Sequence, residues 1–159
     1  MHARIDIGTN ELASLSLLAF EGATKKNKPD IKVGDSVFAR VLAPCRDIET
    51  ELVCITTALK REGMGVLRST NPSFVMKVPI HHIRRLLSPG SKILPTLGRK
   101  FKFEIALGMN GRIWLAAKTF EIVLYIVKVI EKSEKMNTEE INQLCEDILG
   151  QFDAEIKRK

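Results

Sequence analysis

The sequence is poor in the residues that build metal, disulfide and catalytic sites. Its three cysteines are scattered without a C-x-x-C pair, which argues against zinc and thioredoxin-type sites. An odd number of cysteines without a secretory signal favours a reducing compartment. There is no D-x-D or H-x-E arrangement, and the neighbouring His81 and His82 would project about 100° apart on a helix. The sequence therefore predicts no metal site, catalytic residue, cofactor or small-molecule substrate.

Long apolar runs and aromatic residues are also scarce. The longest apolar runs are far shorter than the about 20 residues that a membrane-spanning helix needs, so we expect no membrane contact. Aromatic residues make up 6% of the chain, which leaves few rings to stack on bases. The chain does have a hydrophobic content of 45% and a net charge of +6. It can therefore bury the core of one large or two small domains, and an anionic partner suits its charge.

Short strands separated by glycine turns dominate the first half of the chain. Alternating apolar residues predict strands in the segments 4–8, 12–20, 37–41, 51–56 and 73–78, the third of them after a tight turn at Gly34-Asp35. In 12–20, a strand followed by a helical turn fits equally well. Strands at this spacing are typical of a small β-barrel. Asp6, near the end of the first strand, is expected to organise the following turn by accepting backbone N–H bonds.

A polar, lysine-rich segment at residues 22–30 is predicted to be a loop. Its Lys25, Lys26 and Lys28 are candidates for contact with RNA phosphates, although a solvated loop explains the charge equally well. Further RNA-binding candidates in the same half of the chain are Arg40, Lys60 and Arg61. The phenylalanines there are few, so we expect weak stacking and salt-sensitive, unspecific binding.

The second half of the chain has helical periodicity. The segments 80–87, 91–100, 119–132 and the region after Asn137 are predicted to be helices. In the first of these, Arg84 and Arg85 should point outward. Asn137 and Glu140 have the spacing of a capping box at the start of the last helix. Ser88-Pro89-Gly90 is the best candidate for a domain boundary.

The stretch Gly108-Met109-Asn110-Gly111 admits two interpretations. An Asn-Gly pair between two alternating apolar runs predicts a β-hairpin with a type I′ turn. G-x-x-G is also the loop by which KH domains bind an RNA backbone. A clamp of that kind joins two helices, whereas both flanks here predict strands, and Met109 and Asn110 carry no charge. We therefore expect a structural turn, with Trp114 packed against the last helices.

Several segments together resemble one known family. They are residues 20–25, 51–55, 63–66, 83–89 and 103–114, the last of which contains Gly-Met-Asn-Gly-Arg-Ile-Trp. In this order they resemble exosome component three, a family of S1/KH cap subunits of the eukaryotic RNA exosome. The related component-two family shares the G-x-N-G-x-I-W pattern, but Met109 and Arg112 favour component three.

The resemblance implies an α+β fold that is mainly β in its first half. It implies a partial S1-type OB β-barrel over residues 1–88, followed by a KH-like α/β domain over residues 89–159 with a β-hairpin and C-terminal helices. The family's N-terminal domain and first barrel strand have no counterpart in the sequence, which therefore resembles a truncated member. We accordingly expect the strand near Ala3 to lack a neighbour on one side.

The resemblance also implies a function. Members are non-catalytic subunits that bind single-stranded RNA and assemble with RNase PH-like ring subunits and other cap subunits, in the nucleus, the nucleolus and the cytoplasm. The alternative is a free-standing S1/KH module of a transcription or translation factor. A nuclease is disfavoured, because polynucleotide phosphorylase carries KH before S1 and both behind catalytic domains.

Overall fold

A computed structural model describes residues 1–44, 47–55 and 63–156. The chain divides into two compact units, residues 1–68 and residues 69–159, which we call the first unit and the second unit. This boundary differs from the expected one at 88/89. Strand β7 (Ser73–Lys77) pairs with strand β9 (Arg112–Ala117) and therefore belongs to the second unit. Ser88-Pro89-Gly90 instead joins two helices of that unit.

The described part of the first unit consists of short strands and loops. The strands are β1 (His2–Ile5), β2 (Ala13–Ser16), β3 (Ser36–Phe38), β4 (Arg40–Ala43), β5 (Glu51–Val53) and β6 (Gly65–Leu67). Four of them form a sheet in the order β1-β2-β5-β4, in which β2 and β5 are parallel and the other pairs antiparallel. Strands β3 and β6 pair separately. The β-rich, S1-like first part that the resemblance implied is thus present.

Strand β1 lies at one edge of the four-stranded sheet. Among the described residues β2 is the one strand that pairs with it, and the open side expected near Ala3 stays a prediction. The expectation of one continuous strand over residues 37–41 is wrong. The chain there forms β3 and β4, because the two halves pair with different strands, β6 and β5.

The second unit packs helices on one face of an antiparallel sheet. The sheet has the order β7-β9-β8, with β8 at Phe103–Leu107. The helices are α1 (Ile80–Leu87), α2 (Ile93–Lys100), α3 (Phe120–Glu134) and α4 (Thr138–Ile156). Alternate residues of β9, namely Ile113, Leu115 and Ala117, enter a core shared with all four helices. This is the KH-like α/β region expected after the β-rich part.

Helix α3 forms much of that core, although not all of its apolar residues are buried. Val123, Ile126 and Ile130 are fully buried, whereas Phe120 and Leu124 are 50% and 39% exposed. The helix contacts β7 and β9, and that packing, rather than the width of the apolar stripe, selects the buried side. The following helix, α4, begins as expected: the Glu140 carboxylate accepts the Asn137 backbone N–H at 2.7 Å.

Helix α1 holds the C-terminal end of α3 through two side chains. His82 is fully buried, with Nε2 3.0 Å from the Ile130 carbonyl oxygen and 3.2 Å from the Ser133 hydroxyl. Burial lowers the pKa of His82 below its ordinary value. Arg85, expected to point outward, is half-buried and donates to the carbonyls of Ser133 and Met136. Ser133 lies in the last turn of α3 and Met136 just beyond it, where the helix dipole favours a cation.

Two properties of the described residues bear on membrane proteins and metalloproteins as functional classes. No helix in segments 1–44, 47–55 and 63–156 has the length and apolar character needed to cross a membrane. In the same segments, no three His, Cys, Asp or Glu side chains are grouped so that they could hold a metal ion. Cys54 and Cys145 are buried, and Cys45 lies outside the described residues.

Candidate nucleic-acid interface

Lys25 and Lys26 lie at the tip of a tight turn in the loop between β2 and β3. The Thr24 N–H donates to the Asn27 carbonyl at 2.9 Å, and the Asn27 N–H donates to the Thr24 hydroxyl at 3.0 Å. The two bonds close the turn from both ends, so both exposed lysines extend from a fixed backbone. Lys28, one residue beyond the turn, is exposed as well. The structure therefore gathers three of the sequence-predicted candidates in one loop.

These three lysines take no part in the salt bridges found within the described residues. Those salt bridges lie elsewhere, at Arg4–Glu49, Lys32–Asp30 and Arg68–Asp35. An exposed ammonium without a carboxylate partner is available to a phosphate, and its binding releases counterions. The loop thus offers backbone-directed electrostatic binding that depends strongly on salt.

The base of this loop is fixed by Asp35 and Arg68. Arg68 Nη2 lies 2.6 Å from Asp35 Oδ2 and also donates to the Asp30 carbonyl at 2.6 Å. The Asp35 carboxylate accepts the Lys32 backbone N–H at 3.0 Å as well. The bond from Arg68 is the main cause that lowers the pKa of Asp35, and the Asp35 carboxylate in turn raises the pKa of Arg68. The pair therefore ties the end of the lysine loop to the segment after β6.

The remaining basic candidates lie on other parts of the chain. Arg40 is exposed on β4, where its Nε donates to the Ile55 carbonyl at 3.1 Å. Lys60 and Arg61 lie outside the described residues. The candidates thus comprise the lysine loop, one arginine on an edge strand and two residues that the structure does not describe.

The phenylalanines of the first half do not form a stacking platform. Phe20 and Phe38 are partly buried against the core of the first unit. Phe74 is 41% exposed, but it lies on β7 and so belongs to the second unit. With its rings engaged in the core, the described part of the first unit is suited to contact with phosphates rather than with bases.

A cavity of about 500 Å³ in the first unit has the opposite charge character. Its polar lining consists of Arg4, Glu11, Asp47 and Glu49, and the guanidinium of Arg4 is paired with Glu49. Two further carboxylates remain, so a phosphate entering this cavity would meet net negative charge. A phosphate is therefore electrostatically disfavoured in this cavity and favoured at the lysine loop.

Asp6 forms a turn at the end of β1. Its Oδ1 accepts the Gly8 backbone N–H at 2.8 Å, and Gly8 has a φ of +88°. A carboxylate that accepts the N–H two residues further along forms an Asx turn, which stabilises this left-handed bend. The side chain thus holds the first part of the β1–β2 connection.

The Gly108–Gly111 stretch is the loop of a β-hairpin, as predicted. The Gly111 N–H donates to the Gly108 carbonyl at 3.2 Å, so this turn has Met109 and Asn110 at its centre, whereas the expected type I′ turn was centred on Asn110 and Gly111. Strands β8 and β9 pair on either side of it, and the Gly108 N–H donates to the Arg112 carbonyl at 2.9 Å. Gly111 has a φ of +86°, and its carbonyl accepts the Val78 N–H at 2.8 Å. A Cβ on Gly111 would lie 2.7 Å from the Val78 carbonyl oxygen. The loop therefore joins the hairpin to the residues just before α1, and only glycine fits at its end.

The tip of the hairpin lacks the features of an RNA clamp. Met109 and Asn110 are exposed and uncharged, and the Asn110 side-chain oxygen accepts the Arg112 N–H at 3.3 Å. The loops that join two helices in this unit are instead residues 88–92 and 135–137. That Gly108–Gly111 serves chiefly as a structural joint, without direct RNA contact, stays a prediction.

Trp114 is buried, at 7% exposure, but not against the last helices as expected. On β9 it alternates with Ile113 and Leu115, which enter the core with the helices. It therefore lies on the opposite face of the sheet, beside Val75 of β7 and Ala106 of β8. Helical packing was the wrong expectation because the strand's two-residue alternation assigns Trp114 to the other side.

Sequence reasoning missed the residues that shape the lysine loop. Thr24 and Asn27 are three residues apart, a spacing that could have signalled a turn stabilised by a threonine hydroxyl. The Asp35–Arg68 pair joins residues 33 positions apart and leaves no local signal. Gly34, with a φ of +99°, and Asp35 were read only as a tight turn.

Comparison with known proteins agrees with these two units. Residues 1–65 match the family model "Exosome complex component RRP40, S1 domain", and residues 74–120 match "KH domain". The first part of the chain is thus similar to an RRP40-type S1 domain and its second part to a KH domain. We call the first unit the S1 unit and the second the KH unit.

Over most of its length the chain is also similar to whole proteins of the RRP40 type. The Exosome complex component RRP40 of Mus musculus is 43% identical over 141 residues, which cover 89% of this chain and 51% of that protein. The corresponding protein of Schizosaccharomyces pombe is 39% identical over 147 residues, covering 92% of this chain and 60% of that protein. This chain thus spans about half the length of the mouse relative.

A solved structure supports the fold. A crystal structure described as that of an exosome complex RNA-binding protein superimposes with a TM-score of 0.69. The superposition covers 93% of this chain and 86% of the other, at 22% sequence identity. At this identity the likeness bears on the fold, which is an S1-like β region followed by a KH-like α/β region.

Proposed function

We propose that this chain is the S1/KH portion of a non-catalytic cap subunit of an RNA exosome, of the RRP40 type that is also known as exosome component three. In this role it binds single-stranded RNA through exposed lysines and joins RNase PH-like ring subunits and other cap subunits. It thereby guides RNA towards a separate nuclease. The observation that carries the proposal is the RRP40-type S1 domain, with its lysine loop free of described salt bridges.

The chemistry of both units supports a binding role. KH domains bind single-stranded nucleic acid through backbone contacts and base edges, and the S1 unit offers charge without exposed rings. Binding by this chain alone should be weak and independent of sequence, because three lysines supply few phosphate contacts. The assembled complex would supply most of the RNA-binding surface.

RNA binding can be tested by fluorescence anisotropy with a short single strand at several salt concentrations. Replacing Lys25, Lys26 and Lys28 by Gln should lower the slope of log K against log salt by roughly 2, since each phosphate contact contributes about 0.7. The matched control replaces Lys118, Lys128 and Lys132, which are equally exposed but lie in the KH unit. An unchanged slope in the loop variant, or tight binding insensitive to salt, would contradict the proposal.

Assembly can be tested by co-purification with exosome ring subunits. A cap subunit should co-elute with RNase PH-like subunits in size-exclusion chromatography, whereas a free-standing S1/KH module of a transcription or translation factor should elute alone. The same proposal locates the protein in the nucleus, the nucleolus and the cytoplasm. Imaging of a tagged full-length protein tests that location.

A further inference from the structure

The lysine loop is anchored to the rest of the S1 unit on both sides of its three lysines. Before them, the Ala23 N–H donates to the Phe20 carbonyl at 3.1 Å, and Phe20 packs against the core of the unit. After them, the Asp35–Arg68 pair joins the loop to the segment that follows β6. The first anchor is a backbone bond next to a core residue, whereas the second depends on two side chains.

The carboxylate of Asp35 forms this second anchor from one oxygen. Its Oδ2 accepts the Lys32 N–H at 3.0 Å, and the Asp35 N–H donates to the Lys32 carbonyl at 3.1 Å. These reciprocal bonds close a turn that contains Gly34, whose φ is +99°. The same Oδ2 lies 2.6 Å from Nη2 of Arg68. One carboxylate therefore closes the turn locally and ties it to a residue 33 positions further along the chain.

Arg68 extends the anchor to the backbone next to the lysines. Its Nη2 also donates to the carbonyl of Asp30 at 2.6 Å, two residues after Lys28. This nitrogen carries two N–H groups, one for each acceptor. Both bonds come from a charged donor, and such bonds are stronger than those between neutral groups. Arg68 therefore fixes the chain at Asp30 and at Asp35, directly after the last lysine of the loop.

The charge of Asp35 and its hydrogen bonds act on RNA binding in opposite directions. A carboxylate beside the cationic loop disfavours a phosphate there by its charge. Its bonds keep the backbone of the loop ordered before RNA arrives, and a preordered segment loses less conformational entropy on binding. Lysine side chains are flexible, so a fixed backbone is what brings several ammonium groups to one strand at the same time. The two effects can be separated by experiment because they differ in sign.

We propose that Asp35 is a positioning residue for RNA binding. Through Arg68 and the Lys32 N–H it holds the lysine loop so that its ammonium groups contact the phosphates of one single strand. The carboxylate itself does not touch the RNA, because it has the same sign of charge as a phosphate. This inference rests on the proposed function and adds to it a residue that charge alone would exclude. Its distinctive consequence is that removal of an acidic side chain weakens the binding of an anion.

The test compares Asp35→Ala with Asp30→Ala in the 159-residue chain. Each variant loses one carboxylate near the loop. The Asp30 carboxylate lies on an exposed side chain, 3.9 Å from the Lys32 ammonium, and Asp30→Ala keeps the backbone carbonyl that Arg68 uses. Fluorescence anisotropy with a short single-stranded RNA should show equal or tighter binding for Asp30→Ala. Asp35→Ala should bind about threefold more weakly, as expected when one more side chain must be ordered on binding. The magnitude of its slope of log K against log salt should fall by roughly 0.7, the contribution of one phosphate contact.

A second measurement reports on the order of the loop directly. The heteronuclear NOE of the amides in the lysine loop reports backbone motion on the ps–ns timescale. It should fall in Asp35→Ala and keep its wild-type value in Asp30→Ala, while the other amides of the S1 unit keep native chemical shifts.

If Asp35→Ala loses the fold, Asp35→Asn and Asp30→Asn take the place of the alanine pair. Asparagine keeps a side-chain oxygen for the Lys32 N–H but lacks the charge that pairs with Arg68. Asp35→Asn should then bind RNA more weakly than Asp30→Asn.

The outcomes separate this inference from the proposed function. If the Asp35 variant binds RNA as tightly as the matched Asp30 variant, Asp35 acts through its charge alone and the inference is wrong, although the proposed function stands. The inference is also wrong if Asp35→Ala weakens binding while replacement of the three loop lysines by Gln does not, because the loss then does not pass through the lysine loop. If the wild-type chain binds no single-stranded RNA, the proposed function fails and the inference fails with it.

Discussion

The S1 unit and the KH unit differ in the size of the cores that support their loops. The S1 unit presents lysines on a loop closed by local turns, beside a core whose described buried members are Ala13, Leu15, Leu52, Cys54 and Met64. The KH unit packs four helices and a sheet around a core that has seventeen buried members among the described residues. A loop on a small core can adapt to its partner, whereas elements packed on a larger core are held in one arrangement.

The contrast extends to the glycine-rich turns of the two units. Gly34 has a φ of +99° beside the lysine loop, and an added Cβ would meet nothing within 4 Å. Gly111 has a similar φ, but an added Cβ would meet the Val78 carbonyl oxygen. The S1 turn thus needs only the backbone freedom of glycine, while the KH turn also needs its small size. Tolerance to mutation should differ accordingly.

The largest effect is expected for Gly111→Ala. The positive φ and the clash with the Val78 carbonyl should together lower the free energy of unfolding of the KH unit by about 3 kcal/mol. Urea unfolding followed by Trp114 fluorescence measures this. Gly90→Ala is the control, since an added Cβ there meets nothing within 4 Å. Loss of RNA affinity with unchanged stability would instead make the Gly108–Gly111 stretch a clamp.

A destabilisation of similar size is expected for a core truncation in the S1 unit. Leu15→Ala leaves a cavity beside Leu52 and Cys54 and should cost about 3 kcal/mol, a large share of what a small core supplies. We expect proteases to cut within residues 1–68 while Trp114 fluorescence stays native. Leu115→Ala, a matched truncation in the larger core, should lower the urea midpoint of the KH unit without unfolding it. If Leu15→Ala also exposes Trp114, the two units unfold as one.

The free energy of unfolding of the KH unit is expected to depend on pH between pH 7 and pH 5. The Ser133 hydroxyl donates to the Ile130 carbonyl at 2.7 Å, so it accepts from the Nε2–H of His82. The buried Nδ1 of His82 has no hydrogen-bond partner within the part of the chain that the structure describes. Because the pKa of His82 is lowered on folding, the unfolded chain binds a proton below about pH 6.5 that the folded chain does not. Stability should therefore fall as the pH falls from 7 to 5.

Urea unfolding at these two pH values, with wild type and His82→Gln, tests this expectation. The variant removes the titrating group and should show a smaller loss between pH 7 and pH 5. Nearby charges also act on His82: Glu134 raises its pKa, whereas Arg85 and His81 lower it. His81→Gln serves as the control for the exposed neighbour. Equal pH dependence in wild type and His82→Gln would show that other groups are responsible.

The smallest effect is expected for Gly98→Ala in α2. Gly98 lies in the interior of the helix, and an added Cβ would meet nothing within 4 Å. Alanine loses less conformational entropy than glycine in a helix, so the variant should be more stable by about 0.5–1 kcal/mol. A higher urea midpoint in the Trp114 signal checks this. A lower midpoint would mean that α2 needs glycine for packing.

Local patterns were enough to predict the hairpin, the helices and the lysine loop. Asn110-Gly111 between alternating runs, the capping box at Asn137 and Glu140, and the polar segment 22–30 each carry their structure within a few residues. The order of the matched segments was enough to indicate the family. These features are local because turn geometry, capping and periodicity depend on neighbours along the chain.

Contacts between distant residues were decided by the tertiary structure. The division of 37–41 into β3 and β4, the placement of β7 in the KH unit and the Asp35–Arg68 pair all depend on partners far along the chain. The same holds for Arg85, which is half-buried because it donates to carbonyls at and just beyond the end of α3. A sequence states which residues are basic or apolar. Only packing determines which of them lie together, because burial and pairing are set by elements that the chain brings back from a distance.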